Sequence, residues 1–389
     1  MFDPPPLSHY FSADHEHFRA ALRAFVSREI TPFVNEWDEN GEVPRALYRK
    51  AAELGVTGIG YPEEFGGTPA DTFYRIIAAE EIARAGSGGL QAALNSHTIG
   101  LPPVLAAGSA ALKARVIPPV LAGEKISALA VTEPGGGSDV AALKTTAVRD
   151  GDHYIVNGEK TFITSGMRAD FITTAVRTAP GSKGARGVSA LLIDGDTPGL
   201  TRTELKKMGW WCSDTAHLHF DNCRVPAENV IGVEHDGFKT LMENFNSERL
   251  FMSTLSYSFA QVCLEEALEW ARDRQTFGAP LAERQVIRHK LVDMALKIDA
   301  ARCLIYELAY RIEHKIGNPA ELVARIAMAK VLSTQAMQFC ADQAVQILGG
   351  MGFMRGTKSE RIYREVKVMM IGGGSEEIMK DLAARQWGI

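Results

Sequence analysis

Apolar positions recur at helical intervals through the first third of the chain. From Asp14 to about Lys125, Phe18, Leu22, Phe25 and Ile30 follow one another at steps of three to five residues, and later segments repeat that spacing between Gly and Pro breaks. Helices are predicted there, with YPEEFGG at 61–67 as a surface turn between them. Between Ile126 and about Ile231 the period shortens to two. TTAVRD, HYIVNGEKTFIT, DFITTAVRT, GVSALLIDG and TAHLHFDNCRV are separated by the turn-forming clusters RDGD, APGSKGARG and DGDTPG. This predicts a small antiparallel β region, a sandwich or a barrel. After His235 the helical spacing returns in three long amphipathic stretches, near 239–273, 284–315 and 319–348, and a short one after Ser375. Long antiparallel helices with brief connections make a bundle. The expected organisation is α+β in three regions: a helical one over 1–125, a central antiparallel β one over 126–235 and a C-terminal four-helix bundle over 236–389.

One member of a helical seam breaks the pattern. Leu241, Phe245, Glu248, Met252, Leu255, Phe259 and Val262 advance in steps of four and three on one face, and all but Glu248 are apolar. Burying a carboxylate costs several kcal/mol unless it is paired or holds its proton more tightly. Two readings follow: a Glu tied to an Arg or Lys of a neighbouring helix, or a general base in a water-poor cleft whose burial lifts its proton affinity.

Two turns rich in glycine and hydroxyls punctuate the β region. In ALAVTEPGGGSDV the triplet Gly135, Gly136, Gly137 permits close backbone approach and positive φ, and Thr132, Ser138, Thr161 and Thr164 supply uncharged donors. Such paired turns suit a flat, polyanionic ligand. Farther on, Arg274, Gln275, Thr276 and Phe277 group a cation, an amide, a hydroxyl and an aromatic where a long helix ends. They suit a pyrophosphate and a ring system, or else complement the helix dipole with the Phe packed beneath. Gly349 and Gly350 read as a helix C-cap and Gln285 as an ordinary polar helix residue.

Composition narrows the picture further. At 389 residues, with 46% hydrophobic and 23% charged residues, the chain is of ordinary globular type and long enough for two or three packed regions. A net charge of −5 with dispersed basic residues gives no nucleic-acid surface. No apolar run approaches the roughly 20 residues of a membrane span, and MFDPPPLSHYF has the layout of neither a secretory signal nor a transit peptide, so a bacterial cytoplasm is expected. Five cysteines form no CxxC pair, which favours reduced, packed thiols over disulfides or a metal site.

The order TEP, three glycines, SD, then TFITSG resembles the acyl-CoA dehydrogenase flavoprotein family, and the resemblance extends over nearly the whole chain. It implies FAD as cofactor, an acyl-CoA thioester as substrate, an electron-transferring flavoprotein as acceptor and a homotetramer built as a dimer of dimers. In most of the family the base is a Glu in a C-terminal loop with a pattern like YEG; here Gly373 stands at that position. A minority, the isovaleryl-CoA and long-chain types, carry it on the first long C-terminal helix in a sequence like ERL, which matches Glu248, Arg249, Leu250. Together the two departures turn the choice at Glu248 towards catalysis. Glu376 and Glu377 are the rival acids, read as first-turn residues of a helix capped by Ser375.

Carried over residue by residue, the resemblance sets Leu129, Val131, Thr132, Phe162, Ile163 and Thr164 at the flavin ring, with Thr164 donating towards its reactive edge, and Ser138 at both cofactor and substrate. It places Arg274–Phe277 on the FAD of a neighbouring subunit. Gln285, Gln346, Gly349, Gly350, Ser375 and Glu377 are further cofactor positions, and Asn246 and Arg249 fall at acyl-CoA contacts. Phe162 stands where many relatives have Trp, Leu129 where some have Tyr, and Glu377 where Gln is common. The Gly373 amide would be one donor to the thioester oxygen, and the cleft would admit a branched, medium or long acyl chain. An acyl-CoA oxidase, or a non-catalytic FAD-binding subunit, would keep the same motifs.

Overall fold

The structure, a computed structural model, describes residues 9–389. Most of the segment MFDPPPLSHYF, on which the absence of a leader was read, lies outside the described residues. The chain forms two compact units, each discontinuous in sequence. One comprises the segment up to Glu36, Ala70–Gln91 and Asn246–Ile389; the other comprises Trp37–Pro69 and Ala92–Phe245.

The first unit is helical. Its long members are Ala13–Glu29, Thr72–Ala83, Phe245–Asp273, Gln285–Glu313, Pro319–Leu348 and Lys358–Ile371, followed by Glu376–Gln386. Capping explains several boundaries. The Ser12 hydroxyl accepts from the His15 N–H, Asn318 accepts from Ala320 N at 2.8 Å ahead of Pro319, and the Ser375 hydroxyl accepts from Ile378 N at 3.4 Å. The core gathers Phe73, Ile76, Ile77, Leu250, Tyr257, Ile305, Leu308 and Ile326. Lys358–Ile371 is the fourth long C-terminal helix, which the sequence reading passed over. The stretch expected near 239–273 is not one helix: Gly237–Glu243 ends before Asn244 and a separate helix starts at Phe245. Leu241 accordingly belongs to the core of the other unit, and the seam with Glu248 runs on through Met252, Leu255, Phe259 and Val262, all buried.

The second unit is built on an eight-stranded sheet: β1 (Ser127–Ala130), β2 (Thr146–Asp150), β3 (His153–Thr164), β4 (Phe171–Arg177), β5 (Val188–Asp194), β6 (Leu200–Glu204), β7 (Thr215–Pro226) and β8 (Val230–Ile231). The order is β6-β7-β3-β2-β4-β5-β8, with β1 added against β4. Pairing is antiparallel except for β1 and β2 on β4, which are parallel, a mixture the sequence reading did not anticipate. Strands β1, β6 and β8 fall outside the alternating runs picked out in the sequence. Leu112, Val116 and Ile117 of the Ala110–Leu121 helix pack with Phe171, Ala175, Val188 and Leu192 to form the core.

The long β3–β7 pair has register shifts between Val156 and Gly158 and between Lys160 and Ile163. At the second shift Phe162 takes φ of 60° and its ring stands 69% exposed. A positive φ is uncommon for a bulky residue, and such strain gathers at functional sites. The glycine triplet behaves otherwise than expected: none of Gly135, Gly136 and Gly137 has a positive φ. A Cβ would meet nothing within 4 Å on Gly135, Asp139 O at 3.4 Å on Gly136 and Thr132 Cγ2 at 3.6 Å on Gly137, so the triplet is neither sterically forced nor unusual in its dihedrals.

Candidate active site

Glu248 lies in the first turn of the Phe245–Asp273 helix, where the helix dipole favours an acid. The residue as a whole is half-buried, but its Oε2 is sealed from solvent and has no hydrogen-bond partner. Burial pushes its carboxyl up to about 7, against the opposing pull of the Arg249 and Lys330 cations. The expected alternative, a Glu tied into an ion pair on a neighbouring helix, is not what forms. Arg249 turns to the glycine loop instead: its Nε donates to the Gly373 carbonyl at 3.0 Å and its guanidinium to Asn246 Oδ1 at 3.1 Å.

That loop, Gly372–Ser375, joins Lys358–Ile371 to Glu376–Gln386. Gly373 and Gly374 have φ of 66° and 114°, a backbone that only glycine adopts without strain. A Cβ on Gly373 would lie 2.9 Å from Sδ of Met252, one helical turn beyond Glu248, so the loop rests directly on the glutamate's helix. The Gly373 N–H donates to no group of the described residues. Lys330, 1% exposed, donates to the Gly374 carbonyl at 2.5 Å. Sequence reasoning missed this lysine, although it sits in an otherwise small or apolar buried row, Ala327, Lys330, Thr334, Met337.

The rival acids are surface groups. Glu376 accepts from Gln335 and Lys380, and Glu377 is exposed in the first turn after the Ser375 cap, where backbone and Ser375 bonds hold its carboxyl below the usual range.

The other singled-out residues fall in separate places. In the sheet unit, Thr132, Thr164 and Leu129 are half-buried and Ser138 exposed, while the Val131 and Ile163 side chains are buried, so only their backbone is free to meet a ligand. Thr161 N bonds to Thr132 O at 2.9 Å and joins the two turns. In the helical unit, Gln275–Thr276 pairs with Ala279–Pro280 as a tight hairpin whose central residues, Phe277 and Gly278, have φ of 49° and 78°. That is the signature of a type I′ turn. Phe277 does not pack beneath the helix end; it is 100% exposed, with only the Arg284 guanidinium near its ring. Thr276 Oγ1 is buried without a hydrogen-bond partner. Gln285 and Gln346 are exposed, and Gly349, with φ of 62°, and Gly350 adjoin open space. About 25 residues of one continuous helix, roughly 37 Å at about 1.5 Å per residue, separate Glu248 from this hairpin. The two lie too far apart within one chain to grip the same reacting atoms.

All five cysteines are free thiols, and no helix is long and apolar enough to cross a membrane among the described residues.

Three family models cover the chain: the N-terminal domain of acyl-CoA dehydrogenase matches residues 12–124, the middle domain 128–223 and the C-terminal domain 235–388. The chain therefore belongs to the acyl-CoA dehydrogenase family, flavin-dependent oxidoreductases that act on acyl-CoA thioesters. It is 37% identical over 368 residues to the mitochondrial short-chain specific acyl-CoA dehydrogenase of Mus musculus, covering 94% of this chain and 88% of the relative. It is also 35% identical over 378 residues to the mitochondrial long-chain specific enzyme of Rattus norvegicus, covering 97% and 87%. The crystal structure of a probable acyl-CoA dehydrogenase from Mycobacterium abscessus superposes with a TM-score of 0.94 at 47% identity, over 97% of this chain and 100% of that one.

Proposed function

We propose that this enzyme converts an acyl-CoA to its trans-2-enoyl-CoA with Glu248 as the base that removes the α-proton, the placement of the isovaleryl-CoA and long-chain types. The observation that carries this is the sealed, unpartnered Oε2 of a carboxylate whose proton affinity is poised near neutrality beside a glycine loop. A base tuned to working pH combines a useful ionised fraction with driving force for proton transfer. An α-proton beside a thioester is too weakly acidic for a carboxylate alone, and preorganised donors at the thioester oxygen must lower the barrier. The free N–H of Gly373 is suited to be one of them, and it needs no side chain. Asn246 and Arg249 would contact the acyl-CoA near this loop, and Ser138 is a further substrate position by the family resemblance.

FAD is the expected flavin, and the residues fit it on two counts: the orphaned Thr276 Oγ1 with the exposed Phe277 ring, and the open backbone at Gly349 and Gly350. Arg274, Gln275, Thr276, Phe277, Gln285, Gln346, Gly349 and Gly350 would hold it at one end. Leu129, Thr132, Phe162 and Thr164, with the backbone of Val131 and Ile163, would hold it at its ring. Ser375 and Glu377 are further positions; an anion at 377 is the poorest match. Bound FAD would supply the hydride acceptor for the β-hydrogen. The roughly 37 Å between Glu248 and the hairpin motivates a second subunit in each site, in keeping with a dimer of dimers. We further propose domain boundaries near 125 and 235, an electron-transferring flavoprotein as acceptor and a bacterial cytoplasmic setting. Near-equal identity to short-chain and long-chain enzymes does not choose the acyl group. With glycine at 373 leaving space opposite the base, we favour a branched, medium or long chain.

The test is a panel of straight and methyl-branched acyl-CoAs offered to wild type and Glu248→Gln, read as flavin bleaching in single turnover. Bleaching by wild type and none by the Gln variant is expected. A Gln variant that bleaches at the wild-type rate removes Glu248 from this role.

A further inference from the structure

A second buried charge adjoins the loop, and the chemistry above leaves it without a role. Lys330 projects from the Pro319–Leu348 helix and is 1% exposed. A buried ammonium carries a large desolvation cost and calls for specific partners. Its Nζ has three protons to donate, and the acceptor it meets is the Gly374 carbonyl at 2.5 Å. Its Cε lies 3.9 Å from where a Cβ on Gly373 would stand, so its stem runs directly under the loop. Arg249 holds the preceding carbonyl, that of Gly373, at 3.0 Å. Two cations from two helices thus grip consecutive carbonyls of a segment whose glycines would otherwise be free to reorient. Fixing those carbonyls fixes the peptide planes on either side of the Gly373–Gly374 link.

We propose that Lys330 is a positioning residue of this reaction: its bond to Gly374 holds the glycine loop in the orientation that aims the Gly373 N–H, and its charge keeps the neighbouring Glu248 ionisable. The inference rests on Glu248 being the base. The charged groups facing Glu248 are Arg249 on its own helix and Lys330 from the Pro319–Leu348 helix. Arg75 of the Thr72–Ala83 helix stands close by, donating to Ser247 Oγ at 3.3 Å. Lys330 is itself pushed down to about 8 by burial and by Arg249, so its charge changes within the enzyme's accessible pH range.

The test follows flavin reduction by a reactive acyl-CoA in the FAD-loaded enzyme from about pH 5 to 9, with KM measured in parallel. Lys330→Met should move the midpoint of the rising limb up by about one unit. At pH 7 that shift alone should slow reduction about fivefold while KM stays within about twofold. Wild-type midpoint and rate in the Met variant, or a change confined to KM, overturn the proposal. Should the Met variant fail to retain flavin, Lys330→Arg decides. The cation is kept but the wider guanidinium does not fit the same buried place, so an unmoved midpoint with slower reduction supports the proposal and an unchanged rate overturns it. Glu248→Gln, run beside them, separates the two claims. An inert Gln variant with an unaffected Lys330→Met refutes the lysine's role alone, whereas a Gln variant of wild-type rate refutes the base and the lysine's role with it.

Discussion

Two glutamates with carboxyl oxygens shut off from solvent have opposite fates in this chain. Glu133, in the sheet unit, accepts from Lys160 Nζ at 2.8 Å and from the N–H groups of Lys144 and Thr145 at 2.6 and 2.9 Å, while Lys160 also reaches the Val131 carbonyl at 3.0 Å. Burial alone would raise its carboxyl, but the Lys160 charge and these bonds outweigh burial and leave it below the usual range. Glu248, in the helical unit, has two cations within electrostatic reach, yet Arg249 donates to the Gly373 carbonyl and to Asn246 and Lys330 to the Gly374 carbonyl, and Oε2 of Glu248 is left without a hydrogen-bond partner. There burial wins. A fully satisfied carboxylate stabilises and orients, here fixing the backbone around Val131 and Thr132. An unsatisfied one is kept at a cost in stability and is free to take a proton. Burial alone does not separate the two; the inventory of hydrogen bonds does.

The comparison can be broken most severely by crossing the substitutions. Glu248→Gln should lower the rate of flavin reduction by roughly 100-fold to 10,000-fold, the usual worth of a positioned base, with no loss of thermal stability. Lys160→Met should do the reverse, destabilising the fold by about 3–5 kcal/mol in chemical denaturation because it strands a buried carboxylate. If Lys160→Met were thermodynamically silent, the satisfied network would have no structural weight. The next effect is on stability against pH. Because Glu248 binds its proton more tightly folded than unfolded, its contribution is most favourable below about pH 4.5 and is lost as pH rises towards about 7. The loss is on the order of 3 kcal/mol at most. Denaturation midpoints of Glu248→Gln and wild type should therefore converge at low pH and separate above pH 7 with the variant more stable; parallel curves would contradict this. The smallest effect is expected at the loop. Gly373→Ala imposes a Cβ at φ of 66° and against Met252 Sδ, and should cost about 1–2 kcal/mol. It should also reduce turnover by disturbing the loop amide.

Much of this was legible in the sequence, unevenly. The shift in apolar period from helix to strand and back was enough to place the sheet between helices, and the acid at the head of the apolar seam Met252, Leu255, Phe259 and Val262 marked itself. The break at Asn244 was not legible, because that residue keeps helical dihedrals, φ −71° and ψ −23°, and no Gly or Pro interrupts the run. The Lys358–Ile371 helix did announce itself, with Thr357 capping Glu360 N and Ile362, Val366 and Met369 buried at steps of four and three. Glycines invite a reading of positive φ, yet at the second of the two turns it is Phe162 and Ser165 that adopt it, Phe162 at a register shift that only pairing with β7 creates. Lys330 shows the remaining gap. A charged residue in a buried row is as strong a signal as Glu248, but its partner is a carbonyl 44 positions away, and tertiary structure alone supplies that.

The most direct measurement is the pH dependence of single-turnover flavin reduction by a reactive acyl-CoA. The account predicts a rising limb centred near 7, set by Glu248 and absent from Glu248→Gln. A limb centred near the ordinary carboxylate value of about 4.3, or a Gln variant that follows the wild-type profile, would contradict it.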